Sequence, residues 1–102
     1  MVARVTQYRI RPGKIEEFIT ATESLTAAID KIHGFRALLV VRGEDDDSRD
    51  AMAISVWDTP EDMHASDNDK FYYHVVAQLM HCCESFSPGH EHPVLVSKFA
   101  HK

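Results

Sequence analysis

The side chains here with chemical potential are one tryptophan, three tyrosines, seven histidines and an adjacent pair of cysteines. Trp57 closes the run Ala51-Met-Ala-Ile-Ser-Val-Trp57, and in a strand Ala51, Ala53, Ser55 and Trp57 share one face. That column of small side chains leaves space beside one large ring. The space suits a flat aromatic ligand, with the indole stacking on it and the indole N–H as a donor; the plainer reading is a tryptophan that fills a core or an interface. Tyr72 falls on the apolar stripe of a helix, where its hydroxyl needs a partner, and it reads equally as a pocket donor or a core tyrosine. Phe18, Leu25, Phe35, Met63 and Phe71 are the apolar residues that would line the same cavity, with core filling as their alternative role.

Metal chemistry finds less support. His90 and His92 flank Glu91 and would share a strand face, yet a dedicated site needs a third ligand that the sequence does not identify. His74 and His81 lie opposite the apolar stripe of their helix and are expected in solvent, while His33 suits a helix C-terminus. Cys82 and Cys83 read as small buried hydrophobes, because adjacent cysteines rarely bond. The acidic stretch from Gly43 to Asp50 lacks the spaced carboxylates and central glycine of a calcium loop. It reads as a solvated connection. No phosphate loop, dinucleotide fingerprint, nucleophile elbow or zinc-binding helix is present, so neither a metal nor another cofactor is expected.

The scaffold follows from length and pattern. A chain of 102 residues, 44% hydrophobic and 26% charged, makes one domain, residues 1–102, with no room for a second. The net charge of -5 has the wrong sign for a nucleic-acid partner. No apolar run approaches the roughly 20 residues of a membrane span, and Met1 to Ile10 lacks the pattern of a signal peptide, which predicts a soluble, cytoplasmic protein with no membrane contact.

Val2 to Ile10 is β-prone, and Arg11-Pro12-Gly13 ends it. Ile15, Phe18, Ile19, Thr22, Leu25, Thr26, Ile29 and Ile32 give a one-sided helix over 14–33, closed by Gly34. Phe35 to Arg42 and Ala51 to Trp57 read as strands. Thr59-Pro60-Glu61-Asp62 starts a short helix that runs to about Ser66. A longer helix over 70–84, ended by Pro88 and Gly89, carries Phe71, Tyr72, Val75, Val76, Leu79, Cys82 and Cys83 on its stripe. Pro93 to Ala100 is the last β-like run. The order β-α-β-β-α-β predicts an α+β, ferredoxin-like domain: a four-stranded antiparallel sheet with the helices on one face. The strands are apolar on both parities, so the other sheet face would be left bare. Packing two such sheets face to face predicts a homodimer.

Four segments give the sequence a family likeness: Arg11-Pro12-Gly13-Lys14 with Glu17-Phe18, then His33-Gly34-Phe35, then Ile54-Ser55-Val56-Trp57, and Phe71-Tyr72 at the start of the last helix. In these it resembles the antibiotic biosynthesis monooxygenase family of dimeric α+β barrels. The resemblance implies a pocket in each subunit between the sheet and its own helices. For some members it implies oxygenation of aromatic phenols or quinols by O2 without metal or flavin, which here would make Trp57 and Tyr72 the catalytic pair. The other classes left open are a protein that binds a small aromatic or isoprenoid ligand without turnover, and a dimer that docks a partner on its helices. Haem degradation, found in the wider barrel group, fits less well: Thr6 and Gln7 stand where its asparagine is expected, Trp57 ends a strand, and His74 faces away from a pocket.

Overall fold

A computed structural model describes residues 1–45 and 47–100, and Asp46 of the acidic connection lies outside them. Strand β1 (Val2–Ile10) leads into helix α1 (Ile15–Ile29), strands β2 (Phe35–Arg42) and β3 (Asp50–Trp57), and helix α2 (Pro60–Ala65). A single 3-10 turn (Ser66–Asn68) precedes helix α3 (Lys70–His81) and two short strands, β4 (Cys83–Phe86) and β5 (His90–Pro93). The sheet is antiparallel in the order β2-β3-β1-β4, with β5 also on β1. The ferredoxin-like α+β architecture is the expected one, with its last strand in two pieces. No helix among the described residues is long and apolar enough to cross a membrane.

The outer strand differs most from expectation. Pro93 to Ala100 does not form it; β4 and β5 do, end to end along the same edge of β1. Helix α3 stops at His81 rather than Glu84, and the Arg11 N–H then donates to the Cys82 carbonyl at 2.9 Å. The chain therefore meets β1 as soon as it leaves the helix. Pro88 and Gly89 separate β4 from β5 rather than ending α3. Val94 N–H donates to the Met1 carbonyl at 3.1 Å, just outside β1. Leu95 and Val96 beyond it are 93% and 88% exposed.

Helix α1 is shorter than its apolar pattern. It ends at Ile29, and two tight turns, closed by Ile32 N to Ile29 O and Phe35 N to Ile32 O, replace the last helical turn. Gly34 accepts the positive φ of 83° that this path requires. His33 thus caps nothing; it is exposed, with Nε2 3.7 Å from Asp62. The buried side of α1 is Phe18, Ala21, Leu25, Ala28 and Ile29, while Ile19 and Thr26 are exposed and Thr22 is half-buried. The helix packs on α3 as well as on the sheet, so alanines turn inward where the two helices approach. Thr22 and Thr26 return their hydroxyls to the carbonyls of Ile19 and Glu23, each at 2.6 Å.

Alternation divides the sheet into two faces. Val2, Arg4, Thr6, Tyr8 and Ile10 of β1, and their β3 neighbours Ala51, Ala53, Ser55 and Trp57, lie beneath the helices. Ala3, Val5, Met52, Ile54, Val56, Leu39 and Val41 form the opposite face, which no helix among the described residues covers. Leu39 is 58% exposed there.

Candidate functional site

Between the helix-side face of the sheet and helices α1 to α3 lies a cavity of about 540 Å³. Sheet alternation supplies its floor, Arg4, Thr6, Tyr8, Ala53 and Ser55. Small Ala53 and Ser55 leave the volume open, which is the space expected from the β3 column.

Arg4 is the charged group of this floor. Its side chain is only 16% exposed, with Nη1 3.1 Å from Asp67 Oδ1 and Nη2 donating to the Met63 carbonyl at 3.1 Å. Two anchors, Met63 on α2 and Asp67 in the 3-10 turn, thus fix the position of the guanidinium. Three phenols border the cavity with it: Tyr8 and Tyr72, which are buried, and Tyr73, which is largely exposed. Burial, and then the neighbouring Tyr72 and Cys83, push the Tyr8 hydroxyl up to about 12, against the pull of Thr6 and Arg4. Burial also raises Tyr72, while Arg4 and Ser66 draw it back down. The two buried phenols, Tyr8 and Tyr72, keep their protons at neutral pH and are therefore donors toward anything bound.

The caps explain how the helical wall is held. Thr59 Oγ1 accepts from the Asp62 N–H at 3.0 Å and starts α2; Asp69 Oδ1 accepts from the Tyr72 N–H at 2.9 Å and starts α3. Met63 is 1% exposed, so the α2 turn is pinned from both ends and from its middle.

Of the residues singled out from the sequence, Tyr72, Leu25 and Met63 line this cavity together. Trp57 does not form the expected stacking wall. It is fully enclosed, its N–H donates to Ser55 Oγ at 2.9 Å, and it reaches the cavity only through that serine. Phe35 packs edge-on against Trp57 with ring centroids 5.7 Å apart, and Phe18 packs likewise on Tyr8 at 5.5 Å; neither borders the cavity. Phe71 is 60% exposed and lies outside it. A side chain in the first turn of a helix leans back past the helix start, away from the body of the fold.

Sequence reasoning missed Arg4, Thr6, Tyr8, His64 and Asp67. The available signal was parity: Arg4 and Thr6 stand on the same strand face as Val2, Tyr8 and Ile10, so a charge was being carried into the core. His90 and His92 do share a face, opposite Val5 and Ala3 on the uncovered side of the sheet. Among the described residues no group of three His, Cys, Asp or Glu is arranged to hold a metal. Cys82 and Cys83 are buried free thiols, and burial raises both, so the reactive thiolate is suppressed.

Known structures share this architecture. SnoaB, a cofactor-independent oxygenase from Streptomyces nogalater, superposes with a TM-score of 0.79 at 16% identity, covering 94% of each chain. A candidate antibiotic biosynthesis monooxygenase from Nitrosomonas europaea gives a TM-score of 0.81 at 16% identity over 94% of this chain and 100% of its own. A dimeric protein of unknown function and ferredoxin-like fold from Bacteroides fragilis gives 0.68 at 17% identity, covering 91% of this chain and 95% of its own. No curated protein matches the sequence. Residues 1–77 match the family described as antibiotic biosynthesis monooxygenase. With three quarters of its length matched, the chain belongs to the antibiotic biosynthesis monooxygenase family.

Proposed function

We propose that the protein is a cofactor-independent monooxygenase that oxidises a small aromatic phenol or quinol with O2. The observation that carries this reading is the anchored Arg4 guanidinium beside the protonated Tyr72 hydroxyl in a cavity with apolar walls. A cation and a neutral donor in a site of low polarity favour the anionic form of a bound phenol. The volume falls in the roughly 300–1,000 Å³ range of small-molecule sites. Kinship with SnoaB, a cofactor-independent oxygenase, points the same way.

The chemistry balances without an added reductant. For an anthrone-type substrate, the enol loses its proton and the anion passes one electron to O2. The carbon radical and superoxide then combine through a C–O bond, and the peroxide oxygen takes up a proton. Loss of the remaining C–H proton breaks the O–O bond and leaves a carbonyl and hydroxide, which is protonated to water. The substrate supplies all four electrons. In this scheme Arg4 and Tyr72 steady the oxyanion, Leu25 and Met63 pack on the rings, and Trp57 acts behind Ser55 as a positioning residue.

The working unit in this reading is a homodimer. The uncovered sheet face, with Leu39, Val41 and Ile54 on it, would be sheltered by the same face of a second copy, in keeping with the dimeric Bacteroides fragilis relative of this fold.

The test is oxygen uptake by purified, metal-free protein with a panel of anthrones and hydroquinones. Uptake reduced in Arg4→Met and Tyr72→Phe supports the reading. Saturable ligand binding by calorimetry with no oxygen consumed would instead favour a binding protein.

A further inference from the structure

We propose that His64, backed by the Glu91 carboxylate, is the general base of this cavity, taking the proton of a bound phenol; the assignment rests on the reading above. His64 and Glu91 both border the cavity, one from α2 and one from β5. His64 Nε2 lies 3.9 Å from Glu91 Oε1. An imidazolium formed by proton transfer would therefore meet a negative charge already in place.

The other titratable groups around the cavity are unsuited to the task. Tyr8 and Tyr72 hold their protons more firmly than an ordinary phenol and are donors. Asp67 accepts from both terminal nitrogens of Arg4, so protonating it would break the pair that fixes the guanidinium. Glu91 is a carboxylate, ordinarily some six units more acidic than a phenol and correspondingly weak as a base toward one. Imidazole is the side chain that ordinarily changes charge near neutral pH, which best matches proton removal there. His64 is also the residue after Met63, whose carbonyl accepts from both Arg4 and the Ser66 hydroxyl. The turn that carries the base is thus tied to the cation that would hold the anion. The histidine is 65% exposed, which lets the proton pass on to water.

The titratable and charged groups that border the cavity with this imidazole are Arg4 and Tyr8 from β1, Asp67 from the 3-10 turn, Tyr72 and Tyr73 from α3, and Glu91 from β5. A binding measurement under anaerobic conditions isolates its role from turnover. A chromogenic phenol such as 4-nitrophenol, whose anion absorbs in the visible, is titrated with pH in the presence of saturating protein. In the wild type the bound phenol should ionise about one unit or more below its value in solution. In His64→Gln that midpoint should move back by about one unit while binding persists, and Glu91→Gln should move it in the same direction by less. An unchanged midpoint in His64→Gln overturns the assignment. If the phenol does not bind at all, both the base and the oxygenase reading fall. If it binds and ionises with the expected His64 dependence but the anthrone and hydroquinone panel consumes no oxygen, only the oxygenase reading falls and the base stands.

Discussion

Gly89 lies against the aliphatic stem of Arg4: a Cβ built on the glycine would sit 2.7 Å from Arg4 Cγ and Cδ and 2.9 Å from Thr6 Oγ1. The junction between β4 and β5 thus passes beside the floor cation at the edge of the sheet, and it is bare of side chain where the arginine lies. Gly89→Ala should push the guanidinium off its anchors, with an overpacking cost of about 1–3 kcal/mol. Weaker phenol binding by calorimetry, in a protein with an unchanged far-UV spectrum, is the expected result.

The Trp57 N–H donates to Ser55 Oγ in a buried setting, with no other acceptor among the described residues. Ser55→Ala leaves that donor without a partner and should lower stability by about 1–3 kcal/mol. The variant Trp57→Phe removes the donor as well, so Ser55→Ala should cost much less in that background. Urea midpoints of the four proteins in the cycle check the coupling.

Tyr8 makes the stability depend on alkaline pH. Its folded-state value, about 12, stands above the ordinary 10 of an unfolded phenol, chiefly through burial. Stability is therefore fully present below pH 10 and declines as the pH rises from 10 through 12, by about 2–3 kcal/mol in all. Tyr8→Phe should flatten that decline, as read from denaturant midpoints at pH 9 and pH 11.5.

Thr59 and Asp69 start the two helices that carry His64 and Tyr72. Thr59→Ala should cost about 1 kcal/mol, and Asp69→Ala a similar amount. Thr59→Ser should restore most of the first loss, a pattern that thermal unfolding would reveal.

The uncovered face gives a prediction about assembly. Ile54→Asp or Leu39→Asp places charge among Val5, Met52 and Val41 on that face and should turn a dimer into a folded monomer. Sedimentation equilibrium at micromolar concentration is the measurement, and a wild-type monomer would contradict the proposed pairing.

Fold was more legible than site, for reasons visible in single residues. Helix and strand signals at Phe18, Leu25, Leu79 and Trp57 come from local periodicity, and all four are buried as their periods require. The outer strand was misread because Val94-Leu95-Val96 has the stronger β propensity, whereas pairing depends on which segment reaches β1 first. Cys82, tied to Arg11, decides that in favour of Cys83–Phe86. Tyr72 was found because a phenol on an apolar stripe is unusual. Arg4 was passed over because a charge in a strand ordinarily marks the wet face. Its partners, Asp67 and the Met63 carbonyl, are some 60 residues away and have no signature in the local sequence.

The enclosure of Trp57 makes the molecule its own optical probe. As the single indole in the chain, shielded from water and joined by one hydrogen bond to a serine on the cavity floor, it should emit at short wavelength. A guest that draws the Ser55 hydroxyl toward itself would loosen that bond and change the emission, so occupancy can be followed by fluorescence without an attached dye.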